Sequence, residues 1–467
     1  MNRLIVVSNR VNPPSGDGEE TVGGLAMALA AALKEYSGVW FGWSGRTVPK
    51  FTGELHTETV GGVTAATVDL EEVDLDEYYN GYANKTLWPL FHYRADLAAF
   101  DRAFDKGYTR VNRRFAETLA PLVGRDDVIW VHDYHLIPLA KELRALGVTN
   151  RIGFFLHIPW PAHQLVVNLP RHRQLVESMF DYDLVGFQTA EYQQAFEEYV
   201  LNEADGQVVR PGCLKGYGRL LEVGAYPIGI DAADFARMTR SSRARRMRDL
   251  MTAATVFRHL IVGVDRLDYS KGLEERFLGF EHFLAQNPDL RREVLMLQIA
   301  PVSREAVEAY QEIRGRLDTL SGRINAEYSD VDWAPFRYVN KNYRRDELAG
   351  IYGAARVGLV TPLRDGMNLV AKEFVAAQNP EDPGVLILSR FAGAARQMQD
   401  ALLVNPNSPE DVADALKRAI VMERPERIRR WRTLFDSVQR EDVTAWRDAF
   451  VAALTARTVP LKPALVV

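Results

Sequence analysis

Short apolar runs, rich in β-branched residues, alternate along the chain with segments of helical spacing. Nine such runs predict strands, at residues 4–7, 39–43, 128–132, 152–156, 184–187, 260–264, 294–299, 357–361 and 385–388. Several of them are apolar at every position, as is typical of strands covered on both faces. The segments between them predict helices, for example at 25–36, 174–181 and 274–286. Strands that alternate with helices predict parallel α/β sheets built from βαβ units.

This pattern restarts in the middle of the chain. A Pro/Gly break at 226–231 precedes a basic helical stretch at 237–248, and a new apolar run begins at Leu260. We therefore place a domain boundary near residue 235, with one domain at 1–235 and another at 236–440. Each half opens with a strand and a polar loop, which predicts two Rossmann-like domains that face each other. Ligands of such domains bind beyond the carboxyl ends of the strands.

Composition narrows the class of protein. A chain of 467 residues is expected to form two or three domains. Its net charge of −5, with both signs spread along the chain, gives no general surface for nucleic acid. The single cysteine, Cys213, excludes an intrachain disulfide. No apolar run approaches the roughly 20 residues of a membrane span, and the run at 4–7 is too short for a signal peptide. We therefore expect a cytoplasmic protein.

Residues 361–373 combine a strand end, a polar loop and a helix start. Asp365 and Gly366 lie in the loop, and the helix is predicted to begin near Asn368. The N–H groups at a helix start can hold a phosphate, and Gly366 allows close approach of the backbone to a ligand. Glu373, about one turn further on, could accept hydrogen bonds from a ribose. The same residues also fit an ordinary strand–loop–helix connection.

A second polar loop follows the predicted strand at 260–264. Arg266 and Lys271 lie at the carboxyl end of that strand, where two fixed cations suit a diphosphate leaving group. Arg304 follows the next strand and could join them. The alternative is a solvated loop in which Asp265 and Asp268 pair with the cations.

Further candidate binding residues lie after strand ends and at a helix start. Arg10 follows the first predicted strand, and Gly23 and Gly24 open the first predicted helix, although they do not form a dinucleotide-binding glycine motif. Asp133 lies between His132 and His135, but successive side chains at a strand end point to different faces. Because no other cluster has ligand spacing, we expect no metal and favour Asp133 as a carboxylate that binds sugar hydroxyls.

Other residues leave two interpretations open. His157 ends a predicted strand and is either a site residue or a buried histidine. Tyr78, Tyr79 and Trp88 belong to an aromatic cluster that fits either sugar stacking or a core. The phosphate-loop, zinc-protease and serine-hydrolase motifs are absent from the sequence, so those classes have little support.

Taken together, these segments resemble the trehalose-6-phosphate synthase family of retaining glycosyltransferases. The similarity covers about residues 1–455. Its matching strings, in order, are VVSNR at 6–10, GGLA at 23–26, WFGWSG at 40–45, DEYYN at 76–80, LWP at 87–89, WVHDYH at 130–135, GFFLHIP at 153–159, YPIGI at 226–230, RLDYSKG at 266–272 and TPLRDGMNLVAKE at 361–373. Each string alone is modest, but ten in the right order are specific.

The resemblance implies a GT-B fold, in which two Rossmann-like domains face each other across a catalytic cleft. In such folds the last helix often packs back on the N-terminal domain, which we expect here for a helix at about 440–457. The implied reaction transfers glucose from UDP-glucose to glucose 6-phosphate, yielding α,α-trehalose 6-phosphate and UDP without a metal or cofactor. The implied partners are these two substrates and further copies of the chain, as a dimer or tetramer, with no nucleic acid and no membrane.

The resemblance also implies roles for individual residues. Those implied for the acceptor, glucose 6-phosphate, are Arg10, Tyr79, Trp88, Asp133 and Arg304. Those implied for the donor, UDP-glucose, are Gly23, Gly24, His157, Arg266, Lys271, Tyr343, Asp365, Gly366, Met367, Asn368, Leu369, Val370, Ala371, Lys372 and Glu373. Those implied for catalysis are Arg266, Lys271, Asp133, His157 and Asp365. Arg266 and Lys271 would neutralise the diphosphate, Glu373 would hold the ribose, and the closing motion of the loop at 11–22 is left open.

Two alternatives keep the same fold. One is a related transferase with another acceptor, such as a glucosylglycerol-phosphate synthase or a cyclitol-coupling pseudo-glycosyltransferase. The other is a catalytically silent regulatory homologue, against which the intact Arg266, Lys271 and Glu373 speak.

Overall fold

The structure is a computed structural model that describes residues 3–11, 33, 38–60, 62–255, 258–302 and 307–456. Its strands form two sheets. The first sheet contains β1 Leu4–Arg10, β2 Val39–Val48, β3 His56–Val60, β4 Val63–Glu71, β5 Val128–His132, β6 Ile152–Phe155, β7 Leu184–Phe187, β8 Gln207–Arg210, β9 Cys213–Gly216 and β10 Arg219–Ala225. The second sheet contains β11 His259–Val264, β12 Val294–Ile299, β13 Phe336–Val339, β14 Val357–Val360, β15 Val385–Ser389 and β16 Leu402–Val404.

Helices connect and cover these strands. Among the described residues, the α-helices of seven or more residues are α1 Arg102–Leu119, α2 Leu139–Ala145, α3 His172–Met179, α4 Ala190–Glu203, α5 Ala232–Met238, α6 Ser242–Thr255, α7 Leu273–Gln286, α8 Glu308–Tyr328, α9 Arg345–Ala354, α10 Leu369–Ala376, α11 Pro409–Val421, α12 Arg424–Arg440 and α13 Val443–Thr455. The shorter helical segments are Glu72–Asp74, Trp88–Phe91, Ala95–Leu97, Ala120–Leu122, Tyr134–Leu136, His163–Val166, Tyr269–Lys271, Pro288–Glu293 and Gly393–Arg396, and a π-helix spans Leu75–Leu87.

Both sheets have parallel centres. The first sheet has the order β3-β4-β2-β1-β5-β6-β7-β10-β9-β8, and only its β3–β4, β10–β9 and β9–β8 pairs are antiparallel. The second has the order β13-β12-β11-β14-β15-β16 and is parallel throughout. Every residue of β5, β6, β7, β12, β14 and β15 is buried, as expected for strands covered by helices on both faces. The predicted class of two parallel α/β sheets is thus confirmed.

Most of the predicted strands agree with an observed strand to within a few residues at each end. Several observed strands, however, were not predicted. The segments β3, β4, β8, β9, β10, β13 and β16 are short or partly exposed, so they lack a continuous apolar run. The helix predicted at 25–36 lies outside the described residues except for Leu33. Ser408 caps the start of α11, since its side chain accepts a hydrogen bond from the N–H of Asp411 at 3.2 Å.

The last described helix, α13, packs on the first sheet although it follows the second sheet in the chain. The Phe450 ring stacks on Trp130 of β5 at 4.7 Å between ring centres. It also lies over Gly153 and Gly186, where an added Cβ would come within 2.9 Å and 2.7 Å of the ring. Two strand glycines therefore make room for this aromatic contact. The domain boundary near residue 235 remains a prediction, and the observed sheets divide between Ala225 and His259.

None of the described helices combines the length and the apolar composition that crossing a bilayer requires.

We expect Phe450→Ala to lower the midpoint of thermal unfolding, because it removes a fully buried ring that joins α13 to the first sheet. Truncation of a buried Phe typically costs about 3–5 kcal/mol. Phe100→Ala is the matched control, since Phe100 is 45% exposed. Circular dichroism during heating measures both variants, and equal midpoints would contradict this role of Phe450.

Candidate active site

A cavity of about 290 Å³ lies where the two sheets face each other. It is bounded by the carboxyl ends of β6 and β7 in one half and of β11 and β14 in the other. The residues that line it are His157, Gln188, Ile228, Asp265, Arg266, Lys271, Asp365, Met367, Asn368, Leu369, Val370 and Glu373. Because parallel strands align their carboxyl ends, loops that are distant in sequence meet at this cleft.

The Lys271 ammonium and the Asp365 carboxylate form an ion pair inside this cleft. Nζ of Lys271 lies 2.5 Å from Oδ2 of Asp365, and the two side chains are only 11% and 13% exposed. Arg266 is exposed, and its guanidinium lies 5.8 Å from the centre of the Trp88 ring. The side chains of Arg266 and Lys271, which both belong to the loop at 265–272, thus reach the cleft together. The Asp365 carboxylate holds the Lys271 ammonium in place.

A buried arginine beneath the cleft fixes that loop. Arg276 of α7 is fully buried and lies 2.7 Å from the Asp265 carboxylate. It also donates hydrogen bonds at 2.9 Å to Gln298 of β12 and to Thr361 after β14, and at 3.4 Å to the Lys271 carbonyl. Burial raises the pKa of Asp265, and Arg276 opposes that shift. A buried charge needs this full set of partners, so it holds the ends of three strands in register.

The loop before α10 touches both halves of the protein. The Tyr192 hydroxyl of α4 donates a hydrogen bond to the Asp365 carbonyl at 2.8 Å. Gly366 packs so closely that a Cβ there would lie 1.9 Å from the carbonyl oxygen of His157. The absence of a side chain at 366 therefore lets the two halves approach at this point.

The first turn of α10 faces the cleft. Asn368 is its N-cap in the left-handed region at φ 78°, and its Oδ1 accepts a hydrogen bond from the N–H of Ala371 at 3.3 Å. Its amide donates to Asp365 Oδ2 at 3.0 Å. Leu369 and Val370 line the cavity, and N–H groups at the start of a helix have no acceptor within the helix. This end of α10 can therefore hold an anion.

Glu373 lies one turn further along α10. Its side chain is 12% exposed, and a guanidinium nitrogen of Arg345 lies 3.8 Å from its Oε1. Burial raises the pKa of Glu373 to about 7, and the charge of Arg345 opposes this. A carboxyl group in this position can accept hydrogen bonds from paired hydroxyls.

The two histidines at the N-terminal side are neutral. Burial lowers the pKa of His157 to about 3, and burial and His157 together lower that of His132. Gln188 accepts from the Ile228 N–H at 3.0 Å, so its amide group points toward Nδ1 of His157, at 3.4 Å. His157 therefore has its proton on Nε2 and donates it to Nδ1 of His132, at 3.0 Å.

Asp133 contacts the backbone of His157. Its Oδ1 accepts a hydrogen bond from the His157 N–H at 3.2 Å, and its own N–H donates to the Phe155 carbonyl at 2.8 Å. Its backbone has φ 74°, which is uncommon outside glycine. Such outliers cluster at functional sites.

The other acceptor candidates lie on the N-terminal half and do not line this cavity. The Arg10 guanidinium lies 5.8 Å from the centre of the Trp43 ring. Tyr79 stacks on His135 with ring centres 5.8 Å apart. The Trp88 indole donates to Asp268 at 3.4 Å, so Trp88 bridges toward the Arg266 loop.

Some of the other predicted residues do not line this cavity, and some lie outside the described residues. Arg304, Gly23, Gly24 and the loop at 12–22 lie outside the described residues. Tyr343 is partly buried against the core and does not line the cleft. Ala371 is buried, and Lys372 donates instead to the Ile228 carbonyl at 2.7 Å, because its position on α10 faces the connection between the sheets. Burial lowers the pKa of Lys372 to about 7.

Three residues that line the cleft were not predicted from the sequence. Gln188 directly follows β7, and the rule of strand carboxyl ends would have found it. Asp265 was assigned only to ion pairing in a solvated loop, whereas it is buried. Ile228 carries no chemistry in its side chain and contributes backbone groups to Gln188 and Lys372, so no local signal marks it.

Across the residues that the structure describes, no group of three or more His, Cys, Asp or Glu side chains could hold a metal ion.

Two facing sheets with parallel centres, and a cationic cleft between their strand ends, fit the GT-B class of glycosyltransferases. Comparison with known proteins identifies the family within this class. The model of glycosyltransferase family 20 matches residues 2–456. The chain belongs to this family.

Named relatives are similar over nearly their whole length. A trehalose-6-phosphate synthase of Sinorhizobium fredii is 48% identical over 462 residues, which is 98% of this chain and 99% of that protein. A UDP-forming α,α-trehalose-phosphate synthase of Burkholderia xenovorans, solved in complex with glucose 6-phosphate, has 50% identity and a TM-score of 0.93, over 97% of this chain and 100% of that one. The Escherichia coli protein, solved with UDP-2-fluoro glucose, has 45% identity and a TM-score of 0.93, over 98% and 99% of the two chains.

We expect Gly366→Ala to lower the midpoint of thermal unfolding, because its methyl group would overlap the His157 carbonyl. Overpacking of this kind typically costs about 1–3 kcal/mol.

Gly315→Ala is the matched control, since no atom lies within 4 Å of the added group in α8 and removing a helical glycine is expected to stabilise by roughly 0.5–1 kcal/mol. Scanning fluorimetry compares the two. A midpoint for Gly366→Ala at or above that of the parent protein would refute the close approach.

Proposed function

We propose that this protein transfers glucose from UDP-glucose to glucose 6-phosphate with retention of configuration, yielding α,α-trehalose 6-phosphate and UDP. Membership of glycosyltransferase family 20 and the ligands of the Burkholderia and Escherichia relatives support this reaction. The observation that carries the proposal is the convergence of Arg266, Lys271 and the start of α10 on one cleft. Two cations and a helix N-terminus suit a diphosphate.

The donor is proposed to lie along the C-terminal half. Its diphosphate contacts Arg266, Lys271 and the N–H groups of Leu369 and Val370. Its ribose is bound by Glu373, whose carboxylate form accepts hydrogen bonds from the two hydroxyls. Met367 and Asn368 also line the cleft, whereas Gly23, Gly24 and Tyr343 are proposed on the family resemblance alone.

The transferred glucose is proposed to lie between the halves, beside His157 and Asp365. The Asp365 carboxylate is available to bind sugar hydroxyls. His157, whose two ring nitrogens already bond to Gln188 and His132, forms the cavity wall beside it. Asp365 also holds Lys271, so the same carboxylate couples the sugar site to the diphosphate site.

In the proposed reaction the bond from C1 of the glucosyl group to the diphosphate oxygen breaks, and a bond from C1 to the acceptor hydroxyl forms. The diphosphate gains negative charge as its bond breaks. Arg266, Lys271 and the first turn of α10 stabilise that charge most when it is fully developed, which lowers the barrier. The hydroxyl proton passes to an oxygen of the departing diphosphate on the same face.

The acceptor is proposed to bind at the N-terminal half, with its phosphate on Arg10 and Arg304 and its sugar near Tyr79, Trp88 and Asp133. Arg10 is exposed, and no ion pair joins it to a carboxylate within the described residues. A phosphate is therefore a suitable partner for it.

We further propose that the reaction needs no metal or cofactor and that the enzyme is a cytoplasmic homo-oligomer, a dimer or tetramer. The proposed domains are residues 1–235 and 236–440, with α13 on the first. The division of the strands into two sheets supports this boundary.

Release of UDP, coupled to a colour reaction, tests the function. Glucose 6-phosphate is compared with glycerol 3-phosphate and a phosphorylated cyclitol as acceptors, with and without a chelator. The proposal expects UDP release with glucose 6-phosphate, unaffected by chelator, and a product identified as trehalose 6-phosphate. Faster turnover with another acceptor would overturn this proposal in favour of a related transferase. Binding of the donor without UDP release would overturn it in favour of a catalytically silent homologue.

Lys271→Ala is expected to lower kcat by roughly 10²–10³-fold, as is typical when a group that stabilises developing charge is removed. The binding of UDP-glucose should weaken much less, because the ground-state diphosphate carries less charge than the leaving group. Single-turnover rates and the Kd of UDP-glucose check this. Lys341→Ala, at an exposed lysine, is the control, and equal losses in kcat and in Kd would contradict the leaving-group role.

Arg10→Ala is expected to raise the KM for glucose 6-phosphate by roughly 10- to 100-fold, the usual worth of a charge-assisted hydrogen bond. The KM for UDP-glucose should stay within about twofold. Arg46→Ala provides the control, since Arg46 is an exposed arginine on the neighbouring β2. An unchanged acceptor KM in Arg10→Ala would remove Arg10 from phosphate binding.

A further inference from the structure

A second cavity lies on the C-terminal half and shares no lining residue with the candidate active site. Its volume is about 520 Å³, within the roughly 300–1,000 Å³ of sites for small ligands. Its walls come from α5, α6, α9 and α12 and from the chain that follows α10. The cavity therefore lies where α5 and α6, which connect the two sheets, meet the C-terminal end of α10. The first turn of α10, at its other end, faces the candidate active site.

The charged residues that line this cavity are three arginines, Arg240, Arg245 and Arg248. No aspartate or glutamate lines it, and none of the three forms an ion pair with a carboxylate in the part of the chain that the structure describes. Arg248 donates a hydrogen bond to the Thr239 carbonyl at 2.8 Å, while its Nε is buried without an acceptor. Three like charges in one recess repel each other and attract an anion. Guanidinium groups match phosphate oxygens with paired hydrogen bonds.

The other polar side chains of the cavity are engaged within the protein. The Gln378 amide donates to the Tyr352 carbonyl at 2.8 Å, and its oxygen accepts from the Gly384 N–H at 2.8 Å. The Trp431 indole donates to the Val375 carbonyl at 3.0 Å. The positive charges are thus the main polar feature available to a ligand.

An aromatic pair supplies an apolar wall. Trp431 and Phe435 stack with ring centres 5.0 Å apart and planes at 21°. Because the indole nitrogen is already bonded, this wall offers ring faces and edges alone. A wall of this kind suits a ring or other flat apolar group.

A purely structural role accounts for only part of this arrangement. Arg248 ties the end of α5 to α6 through Thr239. Arg240 and Arg245 are exposed, and no side-chain hydrogen bond to the described residues explains the place of their guanidinium groups at the cavity. Arg246, the neighbour of Arg245 on α6, is equally exposed but does not line the cavity.

We propose that this cavity is a second ligand site that binds a small phosphomonoester with a ring-shaped or flat apolar body. The phosphate is held by Arg240, Arg245 and Arg248, and the body lies against Trp431 and Phe435. A ligand there contacts both α6, which lies in the connection between the sheets, and the chain that leaves α10.

Isothermal titration calorimetry with phenyl phosphate tests the site on the full chain. The titrations are made with UDP-glucose present to fill the donor cleft and in an Arg10→Ala background to weaken the proposed acceptor site. Binding is expected to persist in this background. Arg240→Ala and Arg245→Ala are each expected to weaken it by about tenfold, whereas Arg246→Ala leaves it unchanged. Circular dichroism of each variant checks that these substitutions at exposed positions leave the fold intact.

Inorganic phosphate is expected to bind more weakly than phenyl phosphate, and phenol is expected not to bind. The proposal is overturned if phenyl phosphate does not bind, if Arg245→Ala and Arg246→Ala behave alike, or if inorganic phosphate binds as tightly as phenyl phosphate. None of these results depends on catalytic turnover, so failure here leaves the proposed transferase function standing.

Discussion

The buried ion pair between Asp265 and Arg276 is the constraint on which the cleft depends. A guanidinium removed from water must be matched by a full set of acceptors, and those acceptors come from the ends of β11, β12 and β14 and from the Lys271 carbonyl. The loop at 265–272 is thereby fixed relative to three strands. The cation of Lys271 lies on this supported backbone, and its ammonium is directed by Asp365. An electrostatic catalyst needs such preorganisation, because charges that must reorient during the reaction stabilise less.

The seam between the halves is organised by the loop before α10. Tyr192 holds the Asp365 carbonyl from the N-terminal side, and Gly366 lets the His157 backbone come close. One short loop therefore contacts the sugar side through His157, the diphosphate side through Lys271 and the helix start through Asn368. This arrangement explains why a two-substrate transfer is proposed at the seam rather than within either half.

Much of this could be predicted from the sequence, for identifiable reasons. Strands such as β5, β7 and β12 are apolar throughout because helices cover both faces, and parallel sheets place the residues that follow such strands at one edge. Edge strands such as β8 were missed because they are largely exposed. Arg276 follows two glutamates in a helix and looks like a solvated residue, so its burial depends on tertiary packing that no local pattern encodes. The same holds for Tyr192, whose contact crosses the seam, and for Lys372, whose direction was set by the connection between the sheets.

A crystal structure of this protein with UDP-glucose bound would show directly whether the cleft holds the diphosphate. We expect phosphate oxygens within hydrogen-bond distance of Nζ of Lys271 and of the Arg266 guanidinium, at the first turn of α10, with the glucose beside Asp365 and His157. A diphosphate bound away from α10, or one that touches neither cation, would contradict it.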